Sequence, residues 1–168
     1  MDTIIIKKAN LTDWKQYKEI RLDALRTNPE SFGSSYEEEV KIPISKWKEN
    51  FKNKNSVRLI ALENKKAIGI LVVVFETAIN LAHIANIYSV YVKPEYRGKG
   101  VSTKLMNHAL EIIKSKKIIN KVKLSVVTKQ LSAIYLYEKF GFRKVGELRK
   151  ELKVKGNYYD EYIMELIL

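Results

Sequence analysis

The stretch IYSVYVKPEYRGKGVSTKLMNHALE, Ile87 to Glu111, decides how the rest of the chain is read. Ile87 to Val92 is rich in β-branched and aromatic side chains, which favour a pleated strand. Pro94, in Lys93-Pro94-Glu95, has no N–H for a ladder and fixes its own φ, so the strand stops there. A basic loop follows, Arg97-Gly98-Lys99-Gly100-Val101-Ser102. Beyond it, apolar residues at 101, 105, 109, 112 and 113 fall on one face of a helix. This order of parts suits an anion. The first N–H groups of a helix lack internal partners, the helix dipole places partial positive charge there, and glycines let the backbone approach closely with φ > 0. A diphosphate fits such a cradle, with Arg97 and Lys99 adding charge. From the residues alone, an ordinary basic turn between strand and helix is the competing reading. The loop lacks the Gly-Lys-Ser/Thr ending of a P-loop and the third glycine of a dinucleotide fingerprint.

Working outward from this stretch, Thr3 to Lys8 reads as a short strand. Asn10 or Thr12 can cap the helix that follows, whose apolar stripe runs from Leu11 to about Thr27, and Asn28-Pro29 ends it. Glu30 to Val40 is polar and reads as a loop; Ile44 to Asn53 reads as a short helix. Ser56 to Glu63 and Lys66 to Phe75 form a hairpin with Asn64-Lys65 at its turn. Ala82 to Val92 is the strand that enters the basic loop. Lys121 to Val127 is a strand, Gln130 to Phe140 a helix, and Gly141 its stop. Phe142 to Leu152 and Tyr158 to Leu168 close the chain as an antiparallel pair around Lys155-Gly156-Asn157. The order is β-α-α-β-β-β-α-β-α-β-β. The strand–helix–strand unit from 82 to 127 should set its two strands parallel.

The segment V-Y-V-x-P-E-Y-R-G-K-G-V resembles the acetyl-CoA-binding motif of the GCN5-related N-acetyltransferase (GNAT) superfamily, whose loop reads Gln/Arg-x-x-Gly-x-Gly/Ala. Arg97 and Gly100 match, and Ser102 stands where Gly or Ala is usual. A second block, Ala133 to Phe142, is similar to the family's A-x-x-L-Y-E-x-x-G-F segment. The resemblance covers nearly the whole chain as one domain, 1–168. It implies an α/β (α+β) fold with a mixed, mostly antiparallel central sheet, flanked by helices, in which a parallel strand pair splays to admit the thioester arm. It also implies an acetyl-CoA-dependent N-acetyltransferase acting by direct attack in a ternary complex. Backbone groups of Val90, Tyr91 and Val92 would hold the pantetheine arm, and Arg97, Gly98, Lys99, Gly100, Val101 and Ser102 the diphosphate. Gln130 stands where an Asn often contacts the cofactor. Tyr137 matches the tyrosine that serves as general acid toward the cofactor sulfur. Its place on an apolar helix face is also that of a packing residue.

The base is not named by any residue. Counting along the strand by period two puts Ile84, Asn86 and Tyr88 on one face, and none is a carboxylate or imidazole. Tyr88 can relay a proton through water, and Asn86 can orient one. His83 points the other way. By resemblance, the region of Phe32 and Tyr36 borders the acceptor pocket with Asn86 and Tyr88. The run Glu37-Glu38-Glu39 either recognises a cationic acceptor there or is a solvated face.

Composition limits the alternatives. The 168 residues suffice for one domain, with 46% hydrophobic and 30% charged residues. There is no cysteine and only two histidines, which argues against disulfides, a thiol nucleophile and a metal centre. No apolar run is long enough for a membrane span, and Met1-Asp2 begins no signal peptide, so a cytoplasmic protein is expected. The net charge of +12 is spread over scattered lysines rather than concentrated in a nucleic-acid-binding block. A basic field also draws a polyanion such as coenzyme A. The expected partner is a small-molecule or peptide amine, with no nucleic acid, and a homodimer is compatible with the family. The competing readings are a protein or peptide acetyltransferase and a non-catalytic acyl-CoA-binding module, the latter kept open by Ser102, Gln130 and the missing strand carboxylate.

Overall fold

In the computed structural model, which describes residues 3–168, one sheet is built from β1 (Ile5–Lys8), β2 (Ser56–Glu63), β3 (Lys66–Phe75), β4 (Ile84–Val92), β5 (Lys121–Val127), β6 (Arg143–Val154) and β7 (Asn157–Ile167). Its seven strands run in the order β1-β2-β3-β4-β5-β7-β6. The helices are α1 (Trp14–Thr27), α2 (Tyr36–Glu39), α3 (Ile44–Asn50), α4 (Val101–Ser115) and α5 (Leu131–Lys139). Local chemistry sets these boundaries. The Asn10 side chain accepts from the Thr12 N–H while Asp13 accepts from the Asn10 N–H, which starts α1 through a 3-10 turn. Asn64 and Lys65 both take left-handed φ, 48° and 63°, as a two-residue hairpin turn requires.

Two apolar layers cover the sheet. On one side α4 and α5 pack Leu105, Ile113 and Ile134 against Leu71, Val73 and Leu124. On the other, Tyr17, Ile20 and Ala24 of α1 and Trp47 of α3 meet Ile60, Ile70 and Tyr91. Gly69 lets α4 approach closely: a Cβ there would lie 3.0 Å from the Tyr91 carbonyl oxygen and 3.2 Å from Leu105.

All neighbouring strands are antiparallel except β4 and β5. Their parallel register covers only Ile84–Asn86 against Lys121–Lys123. Beyond it β4 stays with β3, while β5 continues along β7 as far as Val127 opposite Glu161. The two strands therefore part, and a bulge increases the divergence. Tyr88 pairs with Val72 and Tyr91 with Ile70, so Ser89 and Val90 together oppose Leu71. Ser89 takes φ 56°, a left-handed value unusual outside glycine. The extra residue switches the faces: Ile87, Val90 and Val92 pack toward α4, whereas Tyr91 packs toward α1.

The expected mixed sheet, parallel pair and flanking helices are all present. One segment differs. Glu30 to Val40 is not simply a loop, since it holds a 3-10 turn at Pro29–Ser31 and the short α2. A capping box explains α2: the Ser35 Oγ accepts from the Glu38 N–H at 3.2 Å, and Glu38 accepts from the Ser35 N–H at 3.1 Å. The Ser35 N–H, and then the Ser35 hydroxyl, both donating to that carboxylate, hold the Glu38 carboxyl below its ordinary value. Among the described residues, no helix is long and apolar enough to cross a membrane.

Candidate active site

The parted strands open onto a cavity of about 1200 Å³ that reaches the head of α4 and both faces of the sheet. Backbone from Ile87 to Val92 forms one wall, Ser125 to Val127 the other, and α5 contributes Ala133, Leu136 and Tyr137.

The loop before α4 has the geometry of an anion cradle. Gly98 and Gly100 take φ 75° and 77°, and Gly100 occupies the N-cap position with no side chain capping the helix. The N–H groups of Gly98, Lys99 and Gly100 find no hydrogen-bond partner among the described residues, and the first turn of α4 leaves its own N–H groups free. Gly98, Gly100, Val101 and Ser102 line the cavity; Lys99 does not, its ammonium lying 5.0 Å from the Tyr96 ring centroid. Arg97 lines it too, but its guanidinium is engaged. Its Nε donates to the Val92 carbonyl at 3.0 Å and an Nη to Asn28 Oδ1 at 2.7 Å, so it braces the loop against the ends of β4 and α1.

On the sheet wall, Val90, Tyr91 and Val92 all border the cavity. The Tyr91 hydroxyl donates to Asp23 Oδ2 at 2.9 Å, and burial pushes its pKa up to about 12, so it is a neutral structural group. Gln130, at the head of α5, lines the cavity but donates its side-chain amide to Ser31 Oγ, tying α5 to the turn after α1. Tyr137 is 6% exposed, packs edge-on to Phe142 at 6.1 Å and lines the cavity. Its hydroxyl has no hydrogen-bond partner among the described residues, and burial alone raises its pKa well above the tyrosine range.

The α1 side of the cavity holds Phe32 and the half-exposed Tyr88, while Tyr36 and Asn86 do not reach the lining. Asn86 is buried and donates to Glu76 Oε1 at 2.7 Å. Glu76 is thus a carboxylate on the neighbouring strand exit that a count along β4 cannot find. Burial, and then the charge of Glu76, raise the pKa of Tyr88. Within the acidic run, Glu39 is paired with Arg21, Glu38 caps α2 and Glu37 faces solvent, so none of the three faces the cavity. Carboxylates reach it from elsewhere: Glu30, Glu151 and Glu161. Burial, and then the Glu151 charge, raise the Glu161 pKa. Glu161 shares its parity on β7 with Ile163 and Glu165, opposite to Met164 in the α4-side core, and so belongs to the α1 side.

A sheet whose one parallel pair opens beside an uncapped helix head offers free strand edges and an anion-binding helix end to one elongated ligand. The pattern of the acetyltransferase (GNAT) family matches residues 14–142, and the chain belongs to that family of N-acetyltransferases. It is similar to the spermidine N(1)-acetyltransferase of Vibrio cholerae, 31% identical over 108 residues, which is 63% of this chain and 61% of that protein. It is also similar to the L-amino acid N-acetyltransferase AaaT of Escherichia coli, 24% identical over 166 residues and 98% of each chain. A GNAT acetyltransferase structure from Streptococcus pneumoniae superposes with TM-score 0.88 at 20% identity, over 99% of this chain and 100% of that one. Another, yncA of Salmonella typhimurium solved with its cofactor acetyl-CoA, superposes at 0.84 with 18% identity, over 99% of this chain and 94% of that one. At these identities both establish the fold.

Proposed function

We propose that this chain moves an acetyl group from acetyl-CoA to the primary amine of a small cationic acceptor, by direct attack while both are bound. The observation that carries the reading is the cavity itself: free amides at its α4 end, an unladdered strand edge along its middle and carboxylates at its α1 end. The α4 head and the Gly98–Gly100 amides suit the diphosphate. Backbone groups of Ser89 to Tyr91, released by the bulge and by the departure of β5, suit the amide-bearing arm and the thioester oxygen.

The acceptor nitrogen, neutral once its ammonium proton has passed to solvent, attacks the thioester carbonyl carbon, the C–S bond breaks, and the nitrogen gives up a second proton to solvent. Tyr137 gives its hydroxyl proton to the departing sulfur and regains one from water. Phe32 and Tyr88 flank the approach. In a protein of net charge +12, the carboxylates of Glu30, Glu151 and Glu161 make this end suited to a cation. The names of two relatives, one for spermidine and one for L-amino acids, fit an acceptor of that size.

The test is thiol release from acetyl-CoA with polyamines, L-amino acids, aminoglycosides and basic peptides as acceptors. Turnover with a polyamine or amino acid supports the reading. Turnover confined to peptides moves the acceptor class, and acetyl-CoA binding with no turnover on any amine leaves a binding module.

A further inference from the structure

Arg21 lies on α1 and borders the same cavity, yet only 8% of it is exposed. Its guanidinium joins three separate segments. Nε donates to both carboxylate oxygens of Glu39 on α2, at 3.2 and 3.1 Å, and Nη2 donates to Oε1 at 2.6 Å. Nη1 donates to Ser89 Oγ at 3.2 Å, and the guanidinium carbon stands 4.8 Å from the centroid of Phe32. Ser89 is the bulge residue with φ 56°, and neither it nor Val90 has its own partner on β3. A serine in that conformation is held there by its surroundings. The contact from Arg21 is the only side-chain hydrogen bond to Ser89 among the described residues.

We propose that Arg21 is a positioning residue for acetyl transfer: clamped by Glu39, it fixes the Ser89 bulge, and so the aim of the free strand edge at the thioester, while backing Phe32 on the acceptor side. This rests on the proposed function above. Lysine at 21 keeps a cation for Glu39 but lacks the second arm for Ser89. Glycine at 89 accepts left-handed φ without support.

The experiment compares wild type, Arg21→Lys, Arg21→Lys/Ser89→Gly and the neutral pair Arg21→Met/Glu39→Gln. Readouts are steady-state thiol release with spermidine, acetyl-CoA calorimetry, melting temperature and amide exchange across 87–92. Arg21→Lys is expected to lose roughly 10- to 100-fold in kcat. Its acetyl-CoA affinity stays within about twofold, because the diphosphate contacts lie elsewhere, and exchange across 87–92 quickens. Ser89→Gly in that background recovers part of kcat, and the neutral pair loses kcat without recovering slow exchange. Wild-type kcat and exchange in Arg21→Lys overturn the proposal. So does a kcat loss that merely follows melting temperature and acetyl-CoA affinity and that glycine does not relieve. If the wild type acetylates nothing, the functional reading falls, and exchange at 87–92 alone decides whether Arg21 holds the bulge.

Discussion

The thiolate that leaves in acetyl transfer needs a proton, and Tyr137, buried beside the cleft, is the donor we propose. Ordinary values, near 10 for tyrosine and 8.5 for a thiol, put that transfer close to balance. Burial lifts Tyr137 further, which on its own makes it a poorer acid. A thiolate formed against the same buried side chain loses solvation too and is lifted in the same direction. The hydroxyl therefore stays protonated until the C–S bond yields. Tyr137→Phe should lower kcat by about 100-fold with acetyl-CoA affinity unchanged, measured by thiol release and calorimetry; an unaltered kcat would reduce Tyr137 to a packing partner of Phe142. Glu161 carries a second expectation. Its carboxyl is held above the ordinary 4.5 by burial and by Glu151, so the native state binds that proton more tightly than the unfolded chain. Its contribution to stability is accordingly lost as pH rises from about 4.5 upward. Glu161→Gln should melt like wild type below that window and above wild type at pH 7, in a calorimetric pH series. It should also raise the KM for a cationic acceptor by about fivefold. Tyr137 was legible because it lies inside a sequence block. Glu161, on the cavity lining, and Glu76, behind it on Asn86, were not, because only strand pairing brings them near the site.

Among elements, α4 shows what a sequence pattern conveys well. Glycine spacing and a helical stripe located the loop and the helix, and Gly98 and Gly100 adopt the positive φ that only glycine takes readily. An alanine Cβ at 100 would meet nothing within 4 Å, so its cost is conformational rather than steric. Gly100→Ala should destabilise the fold by about 1–2 kcal/mol in denaturant titration. It should weaken acetyl-CoA binding more than that loss explains, because the helix head turns with it; wild-type affinity would place the diphosphate elsewhere. The bulge in β4 shows the opposite case. Period two correctly aligned Ile84, Asn86 and Tyr88, yet it carries Val90 onto their face and Tyr91 off it. Both assignments reverse once Ser89 is inserted, and nothing in S-V-Y-V marks the insertion. The short α2 escaped for a different reason. Four residues are too few for helical periodicity, although the Ser35–Glu38 capping pair was there to be read.

At the scale of the whole molecule, the splay belongs to no single residue: it arises because β5 follows β7 while β4 follows β3, and a list of strands conveys order but not divergence. Charge, by contrast, is fully written in the sequence and acts at long range. A body of net charge +12 attracts a polyanionic thioester and repels a cationic amine at a distance. Within the cleft Glu30, Glu151 and Glu161 share the lining with Arg21, Arg97, Lys129 and Lys139, and on the proposed reading the three carboxylates are what attracts the amine locally. Salt separates the two ranges, with a screening length of about 30 Å at 0.01 M and about 3 Å at 1 M. Raising ionic strength across that interval should lower kcat/KM for acetyl-CoA by roughly tenfold or more. For a polyamine the loss should be smaller, because screening removes a distant repulsion as well as a local attraction. Stopped-flow or initial-rate measurements at fixed pH, varying one substrate while the other saturates, read both slopes. Equal slopes would mean that the carboxylates at the α1 end do not meet the acceptor, and a flat acetyl-CoA slope would mean that the surface lysines play no part in its capture.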